Sequence, residues 1–287
     1  MRLISRAFLA AVPVFLIAAA AACCIFPPTI EPSSFRVVQL SDLHLPSDLK
    51  DSQSHTWVCN LKAAVSEINA MQPPVQFVVV SGDIAEHNGE AGSYKLFNSV
   101  VRELKAPLYV ALGNHDRRSA FRRYVLQEEA ASEAPYYYSF SQNGWHVVVL
   151  DSTQPGSAGG FLDAPQLDWL RRDLSKHRDL PTFIFLHHHS VLIGVADDFP
   201  LRNAAEFVEV LEGFPNVRVV ANGHVHHSLI LEVGDRYFVN TMSLAYGHGD
   251  DASLPGYRIF EVEPNGKLRF YDKRLHQDPV EEFPSNG

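Results

Sequence analysis

The chain has 287 residues, of which 46% are hydrophobic and 20% charged, a composition that supports one large core and excludes collagen, coiled coil and disorder. Its formal net charge of -9 excludes the broad basic face that a nucleic acid polymer requires, so any anionic substrate must be attracted locally. Cys23, Cys24 and Cys59 are the only cysteines, and the first two fall in an N-terminal leader, so the folded part is expected to carry no disulfide.

In chain order, Arg2 and Arg6 precede an apolar stretch over 7–26 that Pro27 and Pro28 close. A helix of that length would just cross about 30 Å of hydrocarbon, and the same pattern suits a cleaved secretory signal. Ala20-Ala21-Ala22-Cys23 also loosely resembles a lipoprotein cleavage box. Residues 1–30 are therefore read as a signal or anchor segment and 31–287 as one catalytic domain. The two arginines lie before the apolar span, which places the domain outside the cytoplasm, exported or membrane-anchored. A misassigned start site would instead leave it cytoplasmic.

Beyond the leader, strand-like and helix-like segments alternate. Strands are expected at 35–40, 77–80, 108–112, 182–186 and 217–221, and helices at 56–70, 93–104, 121–130 and 165–176. Cys59 is expected to be a small buried hydrophobe in the first helix. Asn143-Gly144 between β-rich runs at 136–140 and 145–150 marks a hairpin. Further strands are expected at 236–240, 257–262 and 267–271. This order predicts an α/β protein with two packed mixed sheets covered by helices.

Polar motifs close five of the apolar runs: Asp42-x-His44, Gly82-Asp83, Gly113-Asn114-His115-Asp116, His187 and Gly223-His224-Val225-His226. Taken singly, most have a plain explanation. Asp42 or Asp83 can be a turn residue, and Asn203 with Glu206 makes a helix capping box whatever the substrate. Three imidazoles after the apolar run ending at Leu186 are costly to bury unless something pairs with them. Together the motifs supply carboxylate, amide and imidazole donors for two ions at strand ends, where open sheets carry their ligands.

In this order the five motifs resemble the calcineurin-like metallophosphoesterase superfamily over about residues 36–270. Leu186-His187-His188-His189, Leu201-Arg202-Asn203-Ala204 and Phe214-Pro215-Asn216-Val217 are most similar to bacterial class III cyclic-nucleotide phosphodiesterases of the cyclic AMP type, although Ser190 stands where these have Pro. The resemblance implies a four-layer αββα sandwich and a pair of Fe, Mn or Zn ions. Asp42, His44 and His226 would hold one ion, Asn114, His187 and His224 the other, with Asp83 bridging. His187 is preferred over His188 and His189 because it comes first after the strand. With a bridging hydroxide the site would keep a charge of roughly +1, enough to hold a phosphate diester despite the acidic chain.

The expected reaction is in-line attack of that hydroxide on phosphorus. His115 would stabilise the transition state or protonate the leaving oxygen, and Asp116 would orient His115 or cap the next helix. A 3',5'-cyclic nucleotide is the expected substrate. An exported phosphodiesterase or phosphomonoesterase acting on glycerophosphodiesters or nucleotides is the alternative. A non-catalytic scaffold is the remaining reading, and it would be expected to have lost ligands that this chain retains. Partners are expected to be limited to a small phosphate ester and, through the leader, a membrane.

Overall fold

The computed structural model describes residues 34–287 apart from 51, 130–131, 192–198, 247–253, 284 and 287, so the leader lies outside the described residues. Among the described residues no helix is long and apolar enough to cross a membrane. The elements run β1 (Phe35–Leu40), α1 (Ser52–Ala70), β2 (Val75–Val80), α2 (Ala91–Val101), β3 (Leu108–Val110), α3 (Arg118–Tyr124), β4 (Tyr138–Gln142), β5 (Trp145–Val149) and α4 (Ala164–Lys176). They continue with β6 (Thr182–Phe185), α5 (Ala204–Glu212), β7 (Val217–Asn222), β8 (Leu229–Val233), β9 (Arg236–Asn240), β10 (Gly256–Val262), β11 (Leu268–Arg274), β12 (Val280–Glu282) and β13 (Ser285–Asn286).

Two mixed sheets result, ordered β12-β11-β10-β1-β2-β3 and β13-β8-β9-β7-β6-β5-β4. The central strands read as unbroken apolar runs because both of their faces are buried. Val37, Val79, Val147, Phe183, Phe185 and Val219 point into a core between the sheets. Their neighbours Val38, Leu40, Val78 and Val80 pack outward on α1 and α2, while Val148, Ile184, Leu186 and Val220 pack on α4 and α5. The product is the expected αββα sandwich.

The hairpin forms as its turn chemistry dictates: Asn143 (φ 51°) and Gly144 (φ 77°) connect β4 to β5 in the mirror-image turn that matches strand twist. Other expectations need correcting. The third helix stops at Tyr124 instead of reaching 130. Cys59 is exposed, because Val58, Leu61, Val65 and Ile68 form the buried stripe of α1 and residue 59 lies off it. Asn203 makes no capping bond to α5; its Oδ1 accepts from Leu162 N (3.1 Å) and its Nδ2 donates to Leu162 O (2.7 Å), tying α5 to the segment before α4.

At one end of the inter-sheet core lies a polar band. Gln39 donates to Ser81 Oγ (2.8 Å) and to Asn222 O (3.1 Å) and accepts from Thr241 Oγ1 (2.8 Å), bonding the two sheets to each other. Arg258, fully buried, faces Gln39 across β1 and Asp272 across β11, with its Nη2 2.9 Å from Asp272 Oδ1. This band marks the strand ends from which the polar motifs emerge.

Candidate metal centre

β1, β2 and β3 are parallel neighbours, as are β5, β6 and β7. The loops after β1, β2, β3, β6 and β7 therefore leave the sandwich on one side, and all five motifs sit there. The loops are stitched by backbone bonds from Asp42 N to Gly82 O (3.1 Å), His44 N to Asp83 O (3.0 Å) and Gly223 N to His187 O (3.1 Å). Gly223 has to be glycine, because a Cβ there would overlap the Ser41 hydroxyl and the Asp42 carboxylate.

Asp42 and His44 converge, though not by the alternation of an extended strand. Asp42 (φ 53°), His44 (φ 43°), Asp83 (φ 50°), His224 (φ 73°) and His226 (φ 57°) all lie in the left-handed region. Each such residue costs on the order of 1–3 kcal/mol, and strain of this kind collects where a ligand is to be clamped. The two-apart spacing of Asp42 and His44 thus brings both side chains to one side through a left-handed backbone instead of strand alternation.

The seven candidate ligands form two linked groups. In the first, His44 Nε2 lies 3.1 Å from His226 Nε2, which is 3.4 Å from Asp42 Oδ1. In the second, His187 Nε2 lies 3.1 Å from Asn114 Oδ1, 3.2 Å from His224 Nδ1 and 3.3 Å from Asp83 Oδ2. Asp42 Oδ1 is also 4.0 Å from His187 Nε2, so the carboxylates lie between the groups. Of the triple, His187 is the imidazole that reaches Asn114 and both carboxylates, while His188 also comes near His187 and His224. His188 spends Nδ1 on Ser152 Oγ (2.8 Å) and Nε2 on Ala158 O (2.9 Å).

This donor set fits a pair of cations. His187 Nδ1 donates to Ser81 O (2.9 Å), which turns its Nε2 lone pair toward the amide oxygen of Asn114 and the carboxylate of Asp83. Acceptors facing acceptors in a buried pocket repel unless a positive charge lies among them. Burial pushes His44 and His224 down to about 3, so both are neutral and ready to ligate. Burial alone would raise the Asp42 carboxyl, but His226 and then His187 beside it hold it well below the usual range. His187 moves the other way: burial opposes its charge, yet Asp83 prevails and lifts it to about 9. Without a cation among these groups, a proton on His187 would supply that charge.

A pH dependence follows. The His187 proton is held below about pH 9 and must leave before Nε2 can ligate, so ion binding releases about one proton. Affinity at that position is expected to weaken about tenfold per unit as pH falls below 9. Calorimetry in buffers of differing ionisation enthalpy measures the released proton directly, and a pH-independent affinity between 6 and 8 would overturn the assignment.

His115 is part-exposed beside the cluster. Its Nδ1 donates to Glu86 O (2.5 Å), leaving Nε2 3.9 Å from Asp83 Oδ2. The backbone carbonyl of Glu86, which no sequence motif marks, therefore orients this ring. Asp116 neither orients His115 nor caps α3. Its oxygens accept from Gly113 N (3.0 Å), Ile84 N (3.2 Å), Ala85 N (3.2 Å) and Tyr94 Oη (3.1 Å), so it staples the loop after β3 to the loop after β2. Burial, then the negative charge of Asp83, pushes the Asp116 carboxyl up to about 6. Tyr246 was also not anticipated: its ring packs 5.1 Å from that of His44 and 4.7 Å from that of His226, steadying one wall of the first group.

The calcineurin-like phosphoesterase profile matches residues 35–228, the stretch that contains all seven candidate ligands. The chain belongs to the calcineurin-like phosphoesterase family. It is a metal-dependent phosphoric ester hydrolase, a phosphodiesterase with a dinuclear site. A probable cyclic nucleotide phosphodiesterase of Synechococcus is 34% identical over 238 residues, covering 81% of this chain and 89% of the relative. The 3',5'-cyclic adenosine monophosphate phosphodiesterase of Escherichia coli is 30% identical over 263 residues, covering 86% and 94%. Among solved structures, a dimetal phosphatase from Danio rerio superposes with TM-score 0.64 at 16% identity over 86% of this chain and 98% of that one. A purple acid phosphatase from yellow lupin superposes with TM-score 0.65 at 13% identity, covering 88% of this chain and 54% of that one. These two likenesses concern the fold.

Proposed function

We propose that this enzyme hydrolyses 3',5'-cyclic nucleotides, with Asp42, His44 and His226 holding one ion, Asn114, His187 and His224 the other, and Asp83 shared. The observation that carries the substrate assignment is the similarity, over more than four-fifths of the chain, to proteins described as cyclic nucleotide phosphodiesterases. Mixed nitrogen and oxygen ligation suits Fe, Mn or Zn. When bound, a divalent pair brings the pKa of water near neutrality and offsets negative charge on phosphoryl oxygens. The chain's own part is to hold that charge in a dry, strained cradle and to supply an imidazole. His115, with Nδ1–H tied to Glu86 O, presents Nε2 to the reacting side and gives a proton to the departing alkoxide.

Arg2 and Arg6 ahead of the apolar stretch 7–26 favour a second reading. It places the domain outside the cytoplasm and its substrates among exported diesters or monoesters, such as glycerophosphodiesters and nucleotides. Protein lacking residues 1–30, assayed with Mn or Fe on cyclic AMP, bis(p-nitrophenyl) phosphate and p-nitrophenyl phosphate, separates the readings. The cyclic nucleotide reading requires kcat/KM for cyclic AMP at least as high as for the artificial diester. Turnover of the artificial diester alone favours the exported substrates.

His115→Ala tests the proton transfer. Loss on the order of 10²-fold is expected for cyclic AMP, whose leaving alkoxide needs a proton, and much less for the nitrophenyl diester, whose phenolate does not. Equal losses on both substrates would assign His115 to charge stabilisation instead.

A further inference from the structure

Beside His115 a cleft of about 360 Å³ opens between the loop 114–118 and the loop 153–158. Its charge balance is unusual for a chain with a net charge of -9. Arg117, Arg118 and His87 line it along with Asp116 and Glu133. Asp116 spends both oxygens on backbone amides and Tyr94, as described above. Arg118 is neutralised inside the protein, with its Nε 2.7 Å from the buried Asp151 carboxylate and its Nη2 donating to Thr153 O (2.8 Å). Glu133 is exposed at the surface.

Arg117 differs from its neighbour. Its Nε and Nη2 meet only neutral acceptors, Asn88 O (3.3 Å) and Asn88 Oδ1 (3.4 Å), and no carboxylate pairs with it among the described residues. Its base is nonetheless fixed. Asn88 (φ 44°) and Gly89 (φ 61°) make a tight turn in which Gly89 N donates to His115 O (2.7 Å), and a Cβ on Gly89 would collide with Arg117. The same loop supplies Glu86 O to His115 Nδ1 (2.5 Å). Arg117 and the imidazole of His115 are thus presented by one pair of interlocked loops toward one cleft. Ser157 adds a hydroxyl to the far wall, held by Arg202 Nη2 (2.6 Å), a second cation close behind the lining.

We infer that this cleft is a leaving-group subsite in which Arg117 binds an anionic substituent, so that, in addition to cyclic nucleotides, the enzyme hydrolyses open-chain phosphate diesters and favours those whose departing alcohol carries a second negative group, a carboxylate or a further phosphate, over those whose departing alcohol is neutral. This rests on the phosphodiesterase reading and on His115 marking the side from which the alcohol departs. A cationic guanidinium with only neutral partners accepts an anion without breaking an existing ion pair, and bidentate recognition suits either group. The subsite gives the domain a preference that the ions cannot supply, since they meet the reacting phosphate in every substrate alike.

Three methyl phosphate diesters test it, with 4-hydroxybenzamide, 4-hydroxybenzoate and 4-hydroxyphenyl phosphate as leaving phenols. The first is neutral, and the other two carry a carboxylate and a phosphate. The expected result is a KM about tenfold lower for the charged esters than for the neutral one. The order of the two charged esters identifies the preferred anion. Arg117→Gln, which keeps donors for Asn88 but loses the charge, should bring the KM ratio close to one, and Arg117→Lys should retain part of it. Hydrolysis of all three esters with equal KM, or a ratio that survives Arg117→Gln, would overturn the subsite while leaving the phosphodiesterase reading intact. Failure to hydrolyse even the neutral ester would overturn that reading and this one with it.

Discussion

Asp83→Asn should reduce diester hydrolysis on the order of 10³-fold or more and lower the bound metal from two ions per chain toward one. The carboxylate is 2% exposed, accepts from His115 N through Oδ1 (2.9 Å) and faces His187 Nε2 through Oδ2 (3.3 Å). Asparagine has the same shape, and its oxygen can replace Oδ1 in the bond from His115. Its NH2 then turns toward His187, where a negative acceptor stood, and can neither ligate an ion nor offset its charge. Losing a shared anionic ligand removes several kcal/mol of charge stabilisation, which at 1.36 kcal/mol per tenfold gives the stated loss. Metal content by elemental analysis, with circular dichroism to confirm folding, accompanies the rate measurement. A variant that holds two ions and keeps more than a tenth of the activity would remove Asp83 from the shared position.

Asp83 also shows why so much of this site could be read from sequence. Strands β1, β2, β6 and β7 are buried on both faces, so their apolar runs are continuous and stop where the chain leaves the sandwich. A polar residue directly after such a run is placed at the sheet edge by the strand itself, which made Asp42, Asp83, His187 and His224 visible. The Asn143-Gly144 hairpin was equally local. What failed was the part that depends on partners distant in sequence. In sequence the preference for His187 rests only on its place directly after the strand, and what occupies His188 instead, the Ser152 hydroxyl, lies 36 residues away. Asp116 sits in a motif that suggests catalysis, yet its partners on the loop after β2 make it a staple. The α5 cap failed for the same reason, since Asn203 found a better partner in Leu162. Cys59 was misjudged because a small apolar residue in a helix says little about which stripe it occupies.

The polar band between the sheets is the clearest case of structure hidden from sequence, and it carries the largest expected effect on stability. Arg258→Met should destabilise the fold by about 3–5 kcal/mol, because it strands the Asp272 carboxylate, itself 5% exposed, without its 2.9 Å partner. Arg258 gains little on its own account. Burial opposes its charge against the pull of Asp272, and Nε and Nη1 find no acceptor among the described residues. The pair is thus costly to break rather than strongly stabilising to keep. Arg258→Met combined with Asp272→Leu should recover most of the loss, since a leucine side chain there would extend the inter-sheet face that Phe260 and Phe270 already occupy. Urea unfolding of the wild type, both single variants and the double variant closes the cycle, run with EDTA so that ion binding does not enter the balance. If the single variant lost under about 1 kcal/mol, or the double variant were no more stable than Arg258→Met alone, the pairing would not be what holds Arg258 inside. The band also sets a division of labour that the cycle exposes. Gln39, Ser81 and Asn222 tie the sheets together immediately beneath Asp42, Asp83 and His224. A double variant that regains stability while its metal affinity stays low would place Arg258 among the residues that keep those strand ends in register for the strained ligand loops.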